Sequence, residues 1–100
     1  MISPNYVAIV EDEPLVASLL THTLQTIWRP APALRVYESL LEYADSLAVI
    51  LPCLALVDLQ LPDSAPENTL ARLVDWPCVQ VPSIVISGYL SRVTTMICRD

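Results

Sequence analysis

Leu54-Ala55-Leu56-Val57-Asp58-Leu59-Gln60-Leu61-Pro62 decides how this chain is read. Four apolar residues in succession suit a strand buried on both faces, as in the middle of a parallel sheet. The run stops at a carboxylate, and Pro62 forbids simple continuation of the ladder. An Asp at the end of a buried strand is costly unless a metal, a cation or chemistry compensates it. Taken alone, it equally suits a residue that caps the following loop. Two further apolar runs end in the same way. Val7-Ala8-Ile9-Val10 leads into Glu11-Asp12-Glu13, and Ile84-Val85-Ile86 leads into Ser87-Gly88. Three polar strand ends in a chain of 100 residues read as a site.

Outward from these runs the chain alternates. Pro14 fits the first turn of a helix, where a missing N–H costs nothing. Val16, Leu19, Leu20, Thr23, Leu24 and Ile27 then recur at helical spacing, with Trp28 closing the face and Arg29-Pro30 ending the helix. His22 lies off this stripe and is given no role. Ala33 to Tyr37 alternates like an edge strand with one wetter face. Ser39 with Glu42 reads as a capping box, followed by a short helix carrying Leu40, Leu41, Ala44, Leu47 and Ala48. Pro52 interrupts the chain before Leu54. Ser64-Ala-Pro-Glu67 reads as a second capping box, with Leu70, Leu73 and Val74 as the buried stripe of its helix and Trp76-Pro77 as its end. Leu90, Val93, Met96 and Ile97 repeat at helical spacing and predict a fourth helix. The order β-α-β-α-β-α-β-α implies a parallel sheet with right-handed crossovers and helices on both faces. In such sheets the functional crevice lies at the carboxyl ends of the strands. Glu11, Asp12, Asp58 and Ser87 all fall there.

Composition narrows the function classes. Hydrophobic residues make up 54% of the chain and the mean hydropathy is +0.52, which permits a packed core. The net charge of −6 disfavours a nucleic-acid surface, which needs a basic patch. All five cations are arginines and the sequence holds no lysine. Cys53, Cys78 and Cys98 lack CxxC spacing, and Cys53 and Cys78, beside prolines in apolar surroundings, read as buried, reduced thiols, which favours the cytoplasm. No signal peptide and no membrane span is read, the most apolar segment being too short and broken by Pro52.

Three carboxylates converging in a small crevice raise one another's pKa unless a cation shares the site. With no lysine to serve, a hard divalent ion with oxygen ligands, Mg²⁺, is the natural solution. A metal-bound carboxylate such as Asp58 can attack a phosphoryl group to give an acyl phosphate, and Ser87 could hydrogen-bond a phosphoryl oxygen. Ser87 also suits an ordinary strand-end hydroxyl before a turn.

The chain resembles the receiver domains of bacterial two-component response regulators. The resemblance is carried by Val7-Ala-Ile-Val-Glu11-Asp12-Glu13-Pro14, Leu56-Val57-Asp58-Leu-Gln-Leu61-Pro62-Asp63 and Pro82-Ser-Ile-Val-Ile-Ser87-Gly88, whose order and spacing match across essentially all 100 residues. It implies an α/β, flavodoxin-like, three-layer αβα fold with parallel strand order 2-1-3-4(-5), the fifth βα unit being absent from this chain. By the same resemblance Asp58 is the phosphoacceptor and a Mg²⁺ ligand, Asp12 a direct ligand and Glu11 a ligand through water. Gln60 offers its backbone carbonyl to the metal and its side chain to the phosphoryl group. Ser87 is the switch hydroxyl, and Tyr89 sits where dephosphorylation is tuned. The implied partners are a histidine kinase or phosphotransfer protein, with no nucleic acid and no membrane bound by this segment.

The departures matter equally. The family's fifth strand ends in a lysine that pairs with the phosphoryl group, and here strand, lysine, switch aromatic and last helix are all missing. Residues 1–100 therefore read as one receiver domain, C-terminally incomplete, either a fragment of a longer regulator or a degenerate receiver. A pseudo-receiver acting as a protein-interaction module is the alternative function. A Mg²⁺-dependent phosphohydrolase of the haloacid-dehalogenase kind ranks last, because that family wants an Asp where Gln60 stands. With Ser83–Ile86 as an open edge, the chain is expected to self-associate, as a homodimer, through that edge or by swapping the Leu90–Asp100 helix.

Overall fold

The computed structural model of the chain describes residues 6–87 and 92–97, with side chains up to residue 86. The apolar runs form strands: Tyr6–Val10 (β1), Ala33–Tyr37 (β2), Leu54–Asp58 (β3) and Ser83–Ser87 (β4). Between them lie Pro14–Ile27 (α1), Leu40–Ser46 (α2) and Pro66–Leu73 (α3), with a short 3-10 turn at Cys78–Gln80. The four strands are parallel and ordered β2-β1-β3-β4. This is the expected flavodoxin-like order, and no fifth parallel strand is present among the described residues.

The sheet is covered unequally. On one face Tyr6, Ala8, Val10, Ala55, Val57 and Val85 pack against Leu40, Tyr43 and Leu47 of the α2 region and Leu73 of α3. On the other face Ile9, Leu56 and Ile86 meet Leu20 and Leu24 of α1. Helices on both faces of one sheet give the three layers. A helix with no neighbour on its face buries only the arc that touches the sheet, so Leu19 and Ile27 of α1 are largely exposed rather than buried. On the opposite face Leu70, Val74 and Trp76 are also exposed in and just after α3, whose buried positions are Thr69 and Leu73. In α2 the inward residues are Leu40 and Tyr43, whereas Leu41 faces out.

The two capping boxes fare differently. The Ser39 hydroxyl accepts the Glu42 N–H at 3.1 Å, and the Glu42 carboxylate accepts the N–H of Glu38, one residue earlier than a box requires. The Ser64–Glu67 box does not form. Ala65 is the N-cap of α3, and Ser64 Oγ instead donates to the Ala65 carbonyl and accepts from the Thr69 hydroxyl. Cys78 is buried as expected, but Cys53 is exposed. Its backbone N–H is tied to the Tyr6 carbonyl at 2.9 Å as the chain enters β3.

The fourth helix is replaced by a strand. Arg92–Ile97 (β5) pairs antiparallel with β4, in register from Ser83↔Ile97 to Ser87↔Arg92, with an irregularity between Val85 and Ile86. Val93, Thr94, Thr95 and Ile97 are β-branched, which lowers helix propensity and favours a pleated surface. Pairing also satisfies the backbone groups that an open β4 edge would expose. Both routes expected for self-association lose their basis: β4 is not an edge, and the segment expected to swap as a helix is not one.

Candidate functional site

The register that pairs Val10 of β1 with Val57 of β3 brings the next residues, Glu11 and Asp58, to the same level at the carboxyl end of the sheet. The strand-like course continues briefly past both ends. The Glu11 N–H donates to the Tyr37 carbonyl at 2.9 Å, and the Leu59 N–H to the Ile86 carbonyl at 3.0 Å. Carboxylate oxygens of Glu11, Asp12 and Asp58 all lie within 4.8 Å of one another. Glu11 is 4% exposed and Asp58 9%, whereas Asp12 is open to solvent.

Electrostatics at this point are unfavourable for three free anions. Burial pushes the Glu11 carboxyl up to about 7, reinforced by the charges of Asp58 and Asp12 and opposed by the Glu13 N–H that donates to Glu11 Oε2. No cation among the described residues acts on it. Such a donor set fits a hard divalent cation, which replaces mutual repulsion by shared attraction. Glu11, Asp12 and Asp58 are the side chains that would hold it.

Of the other predicted residues, Gln60 is exposed and its backbone N–H donates to Asp58 Oδ1 at 3.1 Å, fixing that carboxylate's orientation. Ser87 ends β4, the strand beside β3. Its side chain, and Tyr89 altogether, lie outside the described residues. His22 is exposed and stands apart from the cluster.

Asp63 figures in the sequence only as the last residue of the motif that begins at Leu56. Its carboxylate instead accepts the N–H groups of Leu40 and Leu41, at 3.0 and 2.9 Å, across more than twenty residues of sequence. An Asp placed after Leu-Pro looks local in any reading of periodicity, so no sequence signal marks so distant a cap. Beside it, a cleft of about 1030 Å³ opens between α2 and the loop that leads to α3, and reaches Asp12.

No protein-family model matches the sequence, and no curated protein matches it. Solved structures do. The MaeR response regulator bound to beryllium trifluoride superposes with a TM-score of 0.74 at 25% identity, covering 85% of this chain and 68% of that one. The signal receiver domain of a modulated diguanylate cyclase from Desulfovibrio desulfuricans, described as an example of alternate folding, gives 0.68 at 30% identity over 86% and 66%. The phosphorylated cyanobacterial phytochrome response regulator RcpA gives 0.68 at 23% identity over 88% and 68%. The chain thus spans about two thirds of the length of each of these structures. No helix among the described residues is long and apolar enough to cross a membrane. With its parallel order β2-β1-β3-β4 and these structural relatives, the chain belongs, by fold, to the receiver domains of response regulators.

Proposed function

We propose that the chain is a phosphorylation-controlled signalling switch that accepts a phosphoryl group onto Asp58 from a histidine kinase or phosphotransfer protein. The observation that carries this reading is the carboxylate triad, held within 4.8 Å at the ends of two adjacent strands. Two relatives point the same way: one was solved with beryllium trifluoride and another in its phosphorylated form.

Asp58 supplies the nucleophile. One carboxylate oxygen forms a bond to phosphorus as the bond from phosphorus to the donor's leaving atom breaks, giving an acyl phosphate. The Gln60 N–H on Oδ1 orients the carboxylate for this attack. Asp58, Asp12 and Glu11, with the Gln60 carbonyl, would hold the Mg²⁺. When bound, the ion neutralises charge on the transferring group. Ser87 serves as the hydroxyl that follows the phosphoryl group and Tyr89 as the residue that tunes its loss. The module is a phosphoacceptor rather than a turnover enzyme, working in the cytoplasm.

A second reading is favoured by one specific observation. Beside β4, where the family has a parallel strand, this chain has the antiparallel β5. That suits a pseudo-receiver that binds a partner without phosphorylation. Incubation with acetyl phosphate and Mg²⁺ decides between them. The switch requires the mass of one phosphate on the chain and none on Asp58→Asn. An unmodified wild type favours the binding module, and modification of the Asn variant at the wild-type rate refutes the assignment.

A further inference from the structure

The first turn of α2 is unusually well provided for. A helix begins with N–H groups that have no partner inside it, and here those of Leu40, Leu41 and Glu42 are each met by a side chain. Ser39 Oγ takes Glu42 and the Ser39 carbonyl takes Tyr43. Leu40 and Leu41 are both taken by Asp63, which belongs to a different element. Asp63 lies on the loop that leaves Asp58 and leads to α3. Within that loop the Gln60 N–H is bound to Asp58 Oδ1, and Leu61 and Ser64 are bridged, so that Pro62 and Asp63 form the tip of a closed turn. Loop and α2 otherwise flank the open cleft, with Leu61 packed into the core beneath. Among the described residues, the hydrogen bonds from loop to α2 are the two on Asp63. Although burial opposes it, these N–H groups hold the Asp63 carboxyl below its ordinary range.

We infer that Asp63 is a positioning residue for the phosphoryl site, coupling the Asp58 loop to α2 so that the state of Asp58 is transmitted to that helix. The inference rests on the phosphoacceptor role proposed for Asp58. Esterifying one oxygen of Asp58 with phosphorus removes the carboxylate charge that the Gln60 N–H faces and moves negative charge outward. The loop must then readjust at Gln60, three residues before Asp63. A turn closed by the Leu61–Ser64 bridge passes that readjustment on, and the two hydrogen bonds that Asp63 accepts from Leu40 and Leu41 deliver it to the start of α2. Coupling of this kind is reciprocal in binding free energy: what loosens Asp63 from α2 also changes how tightly the Asp58 site holds a phosphoryl analogue.

The test uses the whole chain as wild type, Asp63→Ala and Asp63→Asn, the last retaining one acceptor oxygen. Hydrogen exchange at Ile9 and Val57 verifies that each variant keeps the core. The first readout is the rate of modification by acetyl phosphate as a function of its concentration, with Mg²⁺ and beryllium fluoride affinities measured separately. The second is exchange of the Leu40 and Leu41 amides with Mg²⁺ alone and with Mg²⁺ plus beryllium fluoride. Asp63→Ala should weaken beryllium fluoride binding about fivefold or more, at the lower end of ordinary coupling, and slow modification, with Mg²⁺ affinity unchanged and Asp63→Asn intermediate. In the wild type, beryllium fluoride should change exchange at Leu40 and Leu41. A wild type that is modified while Asp63→Ala reacts at the same rate overturns the coupling alone. So does exchange at Leu40 and Leu41 that ignores beryllium fluoride in a chain that binds it. A wild type that neither accepts phosphate nor binds beryllium fluoride overturns both the coupling and the phosphoacceptor role.

Discussion

Replacing Glu11 by Gln should change how the stability of the metal-free chain depends on pH. In the folded chain the Glu11 carboxyl is pushed up from 4.5 to about 7, chiefly by burial. The folded state therefore keeps a proton that the unfolded state has already released. Stability attributable to this group is fully present below its ordinary value, falls as pH rises from there, and levels off above the folded value. At about 1.4 kcal/mol per pH unit, the interval corresponds to roughly 3 kcal/mol lost across it. A loss of that size is a large fraction of the stability of a small domain.

Urea unfolding between about pH 5 and pH 8 in the presence of a chelator measures the effect. Over this range the carboxyl of Asp63, held below its ordinary range, stays ionised and contributes no slope. The wild type should lose stability up to about pH 7, while Glu11→Gln stays nearly flat and becomes the more stable protein at the alkaline end. Gln keeps an oxygen for the Glu13 N–H, so the loop contact survives. Mg²⁺ at a hundred times its dissociation constant should return about 2.7 kcal/mol to the wild type, which nearly offsets the loss. Parallel pH curves for the two proteins, or a wild type that grows more stable as pH rises, would refute the electrostatic account of the triad.

Three further outcomes are expected. Asp12→Ala should weaken Mg²⁺ binding by the value of a charge-assisted contact, about 1–3 kcal/mol, read by titration with NMR; unchanged binding would remove Asp12 from the ligand set. Ser39→Ala should cost about 1 kcal/mol of stability, since it deprives the Glu42 N–H of its acceptor, and chemical denaturation would expose a neutral result. The Tyr43 hydroxyl is buried with no partner among the described residues, so Tyr43→Phe should be neutral or stabilising by about 1 kcal/mol; a drop in melting temperature would mean that the hydroxyl has a partner after all.

What could be read from residues alone was whatever a short stretch dictates by itself. The four parallel strands follow from brief apolar runs that have no other way to bury both faces, and the strand ends carry the acidic residues to one edge. The triad was legible because its members each stand directly after such a run. The outer limits of the helix stripes were not. Whether Leu19 or Ile27 is buried depends on a neighbouring helix, which periodicity within α1 cannot report. Val93, Met96 and Ile97 fit a helical period better than a strand alternation, and the outcome is decided instead by pairing with β4. The Asp63 bond to α2 escaped for a third reason: it joins two segments whose sequences carry no mark of each other.

The direction of β5 also bears on how the sheet is assembled in time. Each parallel neighbour needs a crossover of a dozen or more residues before its ladder can close, and β1 meets β3 only after α1, β2 and α2 have been laid down. β4 and β5 are separated by residues 88–91 alone. Hairpins of this size close in roughly 1–10 µs, although a two-stranded hairpin is marginal until a third strand supports it. Contacts of low sequence separation therefore come first at the β4 side, and those that bring Glu11 beside Asp58 come late. Substitutions in the hairpin should then alter the folding rate, with high φ-values, while those at the β1–β3 boundary should chiefly alter unfolding. The reverse pattern in a chevron analysis would show that the long crossover, rather than the hairpin, nucleates the sheet.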